Sequence, residues 1–503
     1  MLKISKLSLI CRSKARRTRG FEFGAGRFIV SNFVKRFVAA MDKKRKPKPS
    51  VAVNIEECKY PILTACIREQ KWKTTESENE PWTLRWSDKS VTPKRVLALH
   101  PHQFINHFPG MQALSRKAQL AHYLKRMQLI FPNAFEFVPQ CWVLPREWAG
   151  FDRTLKQQKS RNRTYIVKPD HSSQGKGIFL TRTVRSINRE LPQVIQRYIA
   201  HPFLLDGYKF DLRLYVLVRS IDPLYIYIYK DGLLRLCTEK YVKPVESNLH
   251  ATTMHLTNYA VNKRSPDFVP NANADENGVG NKRSLAWFLE WLKENEYDED
   301  TVWENIKDVV VKTILSAQPH IAQTYNSCTT STSGRRSQCF EVLGFDIMLD
   351  KKLNPWLIEV NHSPSFRASS PLDAQIKRGV VSNTLRLLNI TAKDQKHCQR
   401  VKQTEAQRRL YGRRDEGSQN QSVEHELERA EAKHLGNFER IYPTQGPMRE
   451  LYEELLHCSK QLHVQNAGSM TSIKATRKHK VLSTQPPTSS HTNWTRLRHH
   501  TFK

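Results

Sequence analysis

An aspartate stands inside an otherwise apolar run. CFEVLGFDIMLD (Cys339–Asp350) reads as a strand, and Asp346 lies within it. A second such run, PWLIEVNHSPSF (Pro355–Phe366), carries Glu359 and Asn361 two positions apart, so their side chains point the same way at the strand end. A carboxylate in an apolar strand is costly to bury unless it is paired or bound to a metal. Two outcomes are open from the residues alone. Either Asp346 pairs with a core arginine, or Asp346, Glu359 and Asn361 together offer hard oxygen to Mg²⁺, an ion that keeps its other positions for water and phosphate. Both require a sheet that turns polar groups inward.

The run YKFDLRLYVLV (Tyr208–Val218) makes the same demand. Phe210, Leu212 and Leu214 share one face; Lys209, Asp211 and Arg213 share the other. It is either a half-exposed strand with a surface ion-pair ladder or the wall of a site for a charged substrate. YIVKPDHSSQGKGIFL (Tyr165–Leu180) reads as strand, glycine-rich loop, strand. A P-loop opens a helix, whereas this loop opens a strand. Lys168 and the tip Gly175, Lys176, Gly177 can grip phosphates from one side, because glycine lets backbone N–H groups come close. Oxygen-held Mg²⁺ would neutralise them from the other. A hairpin phosphate lid facing a distant carboxylate pair is an ATP-grasp arrangement. His171 reads as loop surface with no role.

Charge narrows the partners. Lys and Arg number 81 against 48 Asp and Glu, a net charge of +33. Such an excess says little about fold and points to acidic partners. No nucleic-acid recognition motif appears, and no run of about eighteen apolar residues that would span a membrane. Nine scattered cysteines without a CxxC pair argue for reduced thiols in the cytosol and against a zinc module or disulfide scaffold.

A chain of 503 residues suffices for roughly two to four domains. Residues 1–53 form a basic tail, disordered by composition; a transit peptide would look similar, and Met41 offers a second start. The expected core divides into an N-terminal domain (54–160), a central domain (161–200) and a C-terminal domain (201–392). A basic helical extension (393–464) and a disordered basic tail (465–503) follow. Leu114–Leu129 predicts a basic amphipathic helix, and helices are also expected over Trp287–Lys293, Thr301–Ala322, Asp373–Leu388, Val423–Leu435 and Met448–Leu462. The Asp-Gly of YKDGLLRL (Tyr229–Leu236) predicts a hairpin turn. Pro266–Lys282 reads as a mobile loop and Ser327–Gln338 as a flexible insert.

Several of these runs together resemble the tubulin tyrosine ligase-like family, close to its polyglutamylase branch. They are YIVKPDHSSQGKGIFL, VIQRYIAHPFLLDGYKFDLRLYVLV, MHLTNYAVNK, FEVLGFDIMLD and PWLIEVNHSPSF. WTLRWSD (Trp82–Asp88) and INHFPGM (Ile105–Met111) look like that branch's N-terminal motifs, and the match runs in order from about residue 54 to 391. The resemblance implies a fold class of α/β (α+β): an ATP-grasp-type ligase core with mixed and antiparallel sheets. It also implies ATP and Mg²⁺ as cofactors. A γ-carboxylate in a tubulin tail would be activated as an acyl-phosphate, which the amine of free L-glutamate then attacks.

The resemblance also distributes roles. Lys168, Gln174, Gly175, Lys176 and Gly177 match the phosphate lid; Gln196, Arg197, Tyr198 and Ile199 match the adenine hinge. Lys209, Asp211, Thr257 and Asn258 lie on the ATP side, and Lys209, Asp211, Arg213 and His362 are the expected catalytic groups. Arg213 suits charge developing in the transition state. Arg235, Tyr259 and Lys263 match the free glutamate's site, with Arg235 favoured for a bidentate carboxylate contact. Gln174 and His362 match the acceptor side, and Asp346, Glu359 and Asn361 the metal ligands. Without the family, His362 would read as a cap on the turn before Pro364. Long-chain-making members often carry Cys before the Gln-Gly of the loop, where this chain has Ser173; Gln174 and His362 still favour chain elongation.

Expected partners are tubulin and microtubules, through the basic extension and the acidic tails, with the protein a monomer in the cytoplasm and cytoskeleton; whether its microtubules are cytoplasmic or those of the cilium and basal body is left open by the sequence. The alternatives are an initiating glutamylase, a glycine ligase of the same family, or a microtubule-binding protein with a silent ATP site. Nucleic acid and membrane are not expected partners.

Overall fold

The computed structural model describes residues 50–157, 163–172, 174–271, 273, 278–329, 337–394, 400, 428–429 and 431–467. Outside them lie most of the expected N-terminal tail, Ser173, the middle of the 327–338 insert, the basic stretch 401–427 and nearly all of the C-terminal tail.

Strands β1 (Ala52–Asn54), β2 (Lys73–Thr75), β3 (Leu84–Arg85) and β4 (Phe104–Ile105) form a parallel sheet in the order β2-β1-β3-β4. The helix Pro61–Glu69 joins β1 to β2; proline opens it, and Leu63, Cys66 and Ile67 are its buried face. The expected helix at Leu114–Leu129 runs from Lys117 to Ile130 and buries Leu120, Ala121, Leu124 and Met127, a spacing that keeps one side apolar.

A second sheet, antiparallel throughout, contains β5 (Cys141–Leu144), β6 (Tyr165–Pro169), β7 (Phe179–Thr181) and β8 (Gln193–Arg197), in the order β5-β8-β6-β7. The expected boundary at residue 160 cuts this sheet, because β8 finds its outer partner in Cys141–Leu144.

The third sheet has seven strands: β9 (Leu204–Leu205), β10 (Tyr208–Ile221), β11 (Leu224–Lys240), β12 (Lys282–Ser284), β13 (Glu341–Leu349), β14 (Pro355–Asn361) and β15 (Phe438–Tyr442). Its main path is β12-β11-β10-β13-β14, with β9 on β10 and β15 on β11. β10 is buried on both faces. Phe210, Leu212, Leu214, Val216 and Val218 pack in a core with the helices Leu285–Glu294 and Glu299–Asn326. Tyr215 and Leu217, on the face that carries Lys209, Asp211 and Arg213, join a separate core under the N-terminal sheet and the helix Pro371–Leu387. That face is apolar towards Leu217 and charged towards Lys209.

Two expectations need correction. The Asp-Gly of Tyr229–Leu236 is not a turn: β11 runs straight through it, and the chain reverses at Asp222-Pro223, where Ile221 pairs with Leu224. Glycine is needed at 232 for a different reason. A Cβ there would come 2.5 Å from the Arg213 carbonyl oxygen. Asp231 Oδ1 accepts from the amides of Gly232 (2.7 Å) and Ala286 (3.1 Å), tying this irregularity to the next helix. The second correction concerns the stretch 393–464, expected as an extension. Its described end folds onto the core. β15 adds to β11, Phe438 is fully buried against Tyr229, and the helix Arg449–Ala467 packs along Glu299–Asn326 through Tyr452 and Leu455. Apolar residues spaced along that last helix, not its charge, decide where it goes.

Candidate active site

The third sheet lines up its charges by register. Asp211 on β10 stands opposite Arg235 on β11; Arg213 on β10 opposite Asp346 on β13; Asp346 opposite Glu359 on β14. The charges alternate from Arg235 to Asp346, and the row ends on two neighbouring carboxylates, Asp346 and Glu359. Arg235 grips Asp211 with Nε at 2.8 Å and Nη2 at 2.5 Å, and reaches Asp346 Oδ2 at 2.9 Å. Arg213 grips the same Asp346 with Nε at 2.5 Å and Nη2 at 3.0 Å. Asp211 and Asp346 are each 2% exposed, so the half-exposed ladder is excluded. Burial alone would raise the Asp346 carboxyl, but the two guanidiniums outweigh it and hold it below the usual range.

Glu359 has the opposite environment. Burial and the neighbouring Asp346 charge push its carboxyl up. Asn361 Nδ2 donates to Glu359 Oε1 at 3.2 Å. Two adjoining carboxylates, one of them strained upward, form a place that a divalent cation would relieve. Two carboxylates and an amide oxygen are enough for Mg²⁺ that takes its remaining ligands from phosphate and water, so the residues fit the ion; the arginine pairs leave Asp346 only its remaining lone pairs for it. Among the described residues no group of three or more His, Cys, Asp or Glu offers an all-protein metal cage. The two readings of Asp346 thus coexist: it pairs with core arginines and adjoins the candidate metal position.

The second sheet supplies one facing cation, Lys168, and β10 of the third sheet supplies another, Lys209. Lys168 on β6 donates to Gln196 Oε1 at 2.7 Å. Burial lowers it to about 8, opposed chiefly by Glu359. Lys209 donates to Tyr198 Oη (2.8 Å) and to the His255 carbonyl (2.7 Å), and burial lowers it also to about 8. Lys168, Gln196, Arg197, Tyr198, Ile199, Lys209, Asp211, Thr257, Asn258, Asp346 and Glu359 all line one cavity of about 590 Å³, its open mouth included. The lysine-bearing and acid-bearing patches do share a cleft. Asn262, almost fully buried, holds Thr257 and Asn258 there: its Oδ1 accepts from Thr238 N (2.9 Å) and its Nδ2 donates to the Leu256 carbonyl (2.7 Å).

The remaining expected residues are placed differently. Gln174, Gly175 and Gly177 have φ of 62°, 78° and 70°, so the lid tip is left-handed. Gln174, Lys176 and Gly177 are exposed; Gly175 tucks in, and a Cβ on it would meet Val261 Cγ2 at 2.9 Å. His362, just past β14, lies outside the cavity lining, its Nε2 2.8 Å from Ser90 Oγ. Tyr259 is half-buried. Lys263 is exposed, with Nζ 5.6 Å from the Tyr259 ring centroid, whereas buried Lys282 lies 3.8 Å from it.

Lys282 was not visible as a site residue in the sequence. Its Nζ contacts Asp373 Oδ2 (2.6 Å) and Ser369 Oγ (2.8 Å), and Lys377 reaches Asp373 Oδ1 at 3.2 Å. The only signal was Asp373 and Lys377 four apart on a helix, which ordinarily reads as a surface pair. The apolar walls were also missed: Ile166, Ile178, Leu256, Met348 and Ile358. Ile166 and Met348 were legible, each two positions from a site residue. Ile358 was not. The pairing slips between Asp346–Glu359 and Ile347–Leu357, leaving Ile358 as an extra residue, so it and Glu359 both reach the cavity despite being neighbours.

The mixed α/β fold, with a hairpin lid over a cleft between two sheets, is ATP-grasp-like. Residues 95–398 match the model of the Tubulin-tyrosine ligase family, and the chain belongs to that family. Among its relatives is tubulin polyglutamylase TTLL13 of Mus musculus, 39% identical over 469 residues, covering 89% of this chain and 57% of the relative. Tubulin polyglutamylase TTLL7 of Homo sapiens is 40% identical over 444 residues (82% and 50%), and a probable beta-tubulin polyglutamylase of Tetrahymena thermophila 39% over 432 residues (84% and 36%). The chain spans about half the length of the curated relatives it matches, or less.

Proposed function

We propose that this chain is an ATP- and Mg²⁺-dependent glutamate ligase that adds glutamate to the acidic tails of tubulin. The observation that carries the reading is the shared cleft, in which Lys168 from the second sheet lines one cavity with Lys209, Asp346 and Glu359 from the third. The polyglutamylase names of its relatives support the choice of substrate.

ATP would supply the phosphoryl group that turns a poor leaving group into a good one, with Mg²⁺ held at Asp346, Glu359 and Asn361 neutralising phosphate charge. The apolar residues Ile166, Ile178, Met348 and Ile358 enclose a flat base and exclude water. Lys168 and Lys209 bind phosphate, and their lowered proton affinity makes them strong hydrogen-bond donors. Arg213, fixed by its fork on Asp346, stabilises negative charge on the acceptor carboxyl as it is attacked. Arg235, Tyr259 and the buried Lys282–Asp373–Lys377 group orient the incoming glutamate, with Lys282 rather than exposed Lys263 beside the Tyr259 ring. Gln174 and His362 face the acceptor, and this pair favours elongation of existing glutamate chains. The basic stretch beyond residue 392 guides the enzyme to microtubules, which places it at the cytoskeleton. No helix among the described residues is long and apolar enough to cross a membrane.

Purified protein given ATP, Mg²⁺ and labelled glutamate is expected to add mass to tubulin tails in single glutamyl steps, read by mass spectrometry. Incorporation of glycine instead of glutamate would replace the reading with a glycine ligase. Incorporation of neither, with ATP bound, would leave a microtubule-binding protein.

A further inference from the structure

The two N-terminal motifs, Trp82–Asp88 and Ile105–Met111, play no part in the chemistry above, yet they meet beside it. Asn106 clamps Ser87 from both sides: Ser87 N donates to Asn106 Oδ1 (2.8 Å), and Asn106 Nδ2 donates to the Ser87 carbonyl (2.9 Å). His107 Nε2 donates to the same carbonyl at 2.8 Å, while its Nδ1 lies 2.8 Å from Glu341 Oε1. Glu341 Oε2 accepts from the Phe108 amide at 2.8 Å. Nε2 faces a carbonyl and so carries a proton, and one further proton lies between Nδ1 and the Glu341 carboxyl. Ser87, Asn106, His107 and Glu341 are all buried. A titratable pair in that setting is a costly way to join two loops, since apolar residues would pack there as well.

What the clamp controls lies just downstream. Asp88 accepts through its carbonyl from Ser363 Oγ (3.2 Å), and Ser90 Oγ sits 2.8 Å from His362 Nε2. The His107 and His362 rings are 6.2 Å apart. Ser90 is exposed, so packing around it does not impose its contact. The clamp three residues upstream does. With Nε2 engaged by Ser90, only Nδ1 of His362 is left to meet an acceptor.

We propose that Asn106, His107 and Glu341 are positioning residues for His362, acting through residues 87–90, and that Ser90 is the group that fixes the His362 ring for the acceptor glutamate chain. This rests on the proposed role of His362 at the acceptor side. The full chain is assayed with ATP, Mg²⁺, labelled glutamate and a tubulin-tail peptide bearing a glutamyl branch, varying peptide and ATP separately. Ser90→Ala is expected to raise KM for the peptide roughly five- to ten-fold, the effect of one lost hydrogen bond, with KM for ATP within about two-fold of wild type. Ser90→Thr, which keeps the hydroxyl, restores the peptide KM, and His107→Gln shifts it in the same direction as Ser90→Ala. Ser90 is at the surface, so its variants fold even where His107→Gln does not. An unchanged peptide KM in Ser90→Ala, or equal rises for peptide and ATP, overturns the positioning role while leaving the ligase reading intact. A wild-type protein that transfers no glutamate overturns both.

Discussion

The two walls of the cleft are built on different terms. On one, Arg235, Asp211, Arg213, Asp346 and Glu359 stand in register on four hydrogen-bonded strands; Arg235, Asp211 and Asp346 are buried, and Arg213 and Glu359 half-buried. On the other, Gln174, Lys176 and Gly177 project from an exposed left-handed hairpin tip whose main anchor is Gly175 against Asn258 and Val261. The first wall is fixed before any substrate arrives; its geometry belongs to the sheet. The second is exposed at its tip, as the proposed role of a lid that opens to admit and release a nucleotide would need. Changes to the row should therefore act on chemistry and folding, and changes to the lid on binding.

The largest effects are expected within the row, and two neighbouring carboxylates should separate cleanly. Asp346→Ala leaves Arg213 and Arg235 buried without a full counter-charge and is expected to cost about 3–5 kcal/mol of stability, read by denaturant unfolding. Glu359→Gln removes a like charge from beside Asp346. It should lower kcat by at least about a hundred-fold while leaving the unfolding midpoint unchanged or slightly raised. Equal destabilisation by both would break the picture of one paired and one cation-seeking carboxylate.

Alkaline pH gives the next effect. Lys168 and Lys209, lowered to about 8 by burial, lose their protons well below the ordinary lysine range. With the phosphate-binding charge gone, kcat/KM for ATP should fall about ten-fold per pH unit above about 8, and more steeply if both lysines are required. Over the same range the unfolded chain still holds those protons, so these two groups make the fold relatively more stable as pH rises. Activity that falls while the melting temperature holds separates this from alkaline unfolding. A profile flat to pH 10 would remove both lysines from phosphate binding.

The smallest effect belongs to the lid. Gly175→Ala puts a methyl 2.9 Å from Val261 Cγ2 at a φ of +78°. It should raise KM for ATP several-fold through about 1–2 kcal/mol of strain, with kcat nearly unchanged. A larger loss of kcat than of affinity would mean that the lid takes part in the chemistry and would dissolve the contrast.

Much of the cleft was legible because strands have a period of two. That period put Lys209, Asp211 and Arg213 on one face, and Glu359 with Asn361, as observed. It failed at Ile358, where an extra residue breaks the alternation, and at Gly232, where a strand irregularity looked like a turn. Lys282 left no readable trace, and Lys377 only its spacing of four from Asp373, because a lysine's burial depends on what folds over it. The C-terminal strand and helix were misjudged for a related reason: their charge suggested a separate arm, but Phe438, Tyr452 and Leu455 anchor them in the core.

By itself the sequence determined which residues share a strand face, where chain-breaking glycines stand, and the family to which the chain belongs, since all three are local or ordered along the chain. Only the tertiary structure decided which charges meet. Register across four strands pairs Asp346 with Arg213 and sets it beside Glu359, and the clamp on Ser87 brings Ser90 to His362 from 272 positions away. Those partners are chosen by sheet hydrogen bonding and core packing over long sequence separations, which no local pattern records.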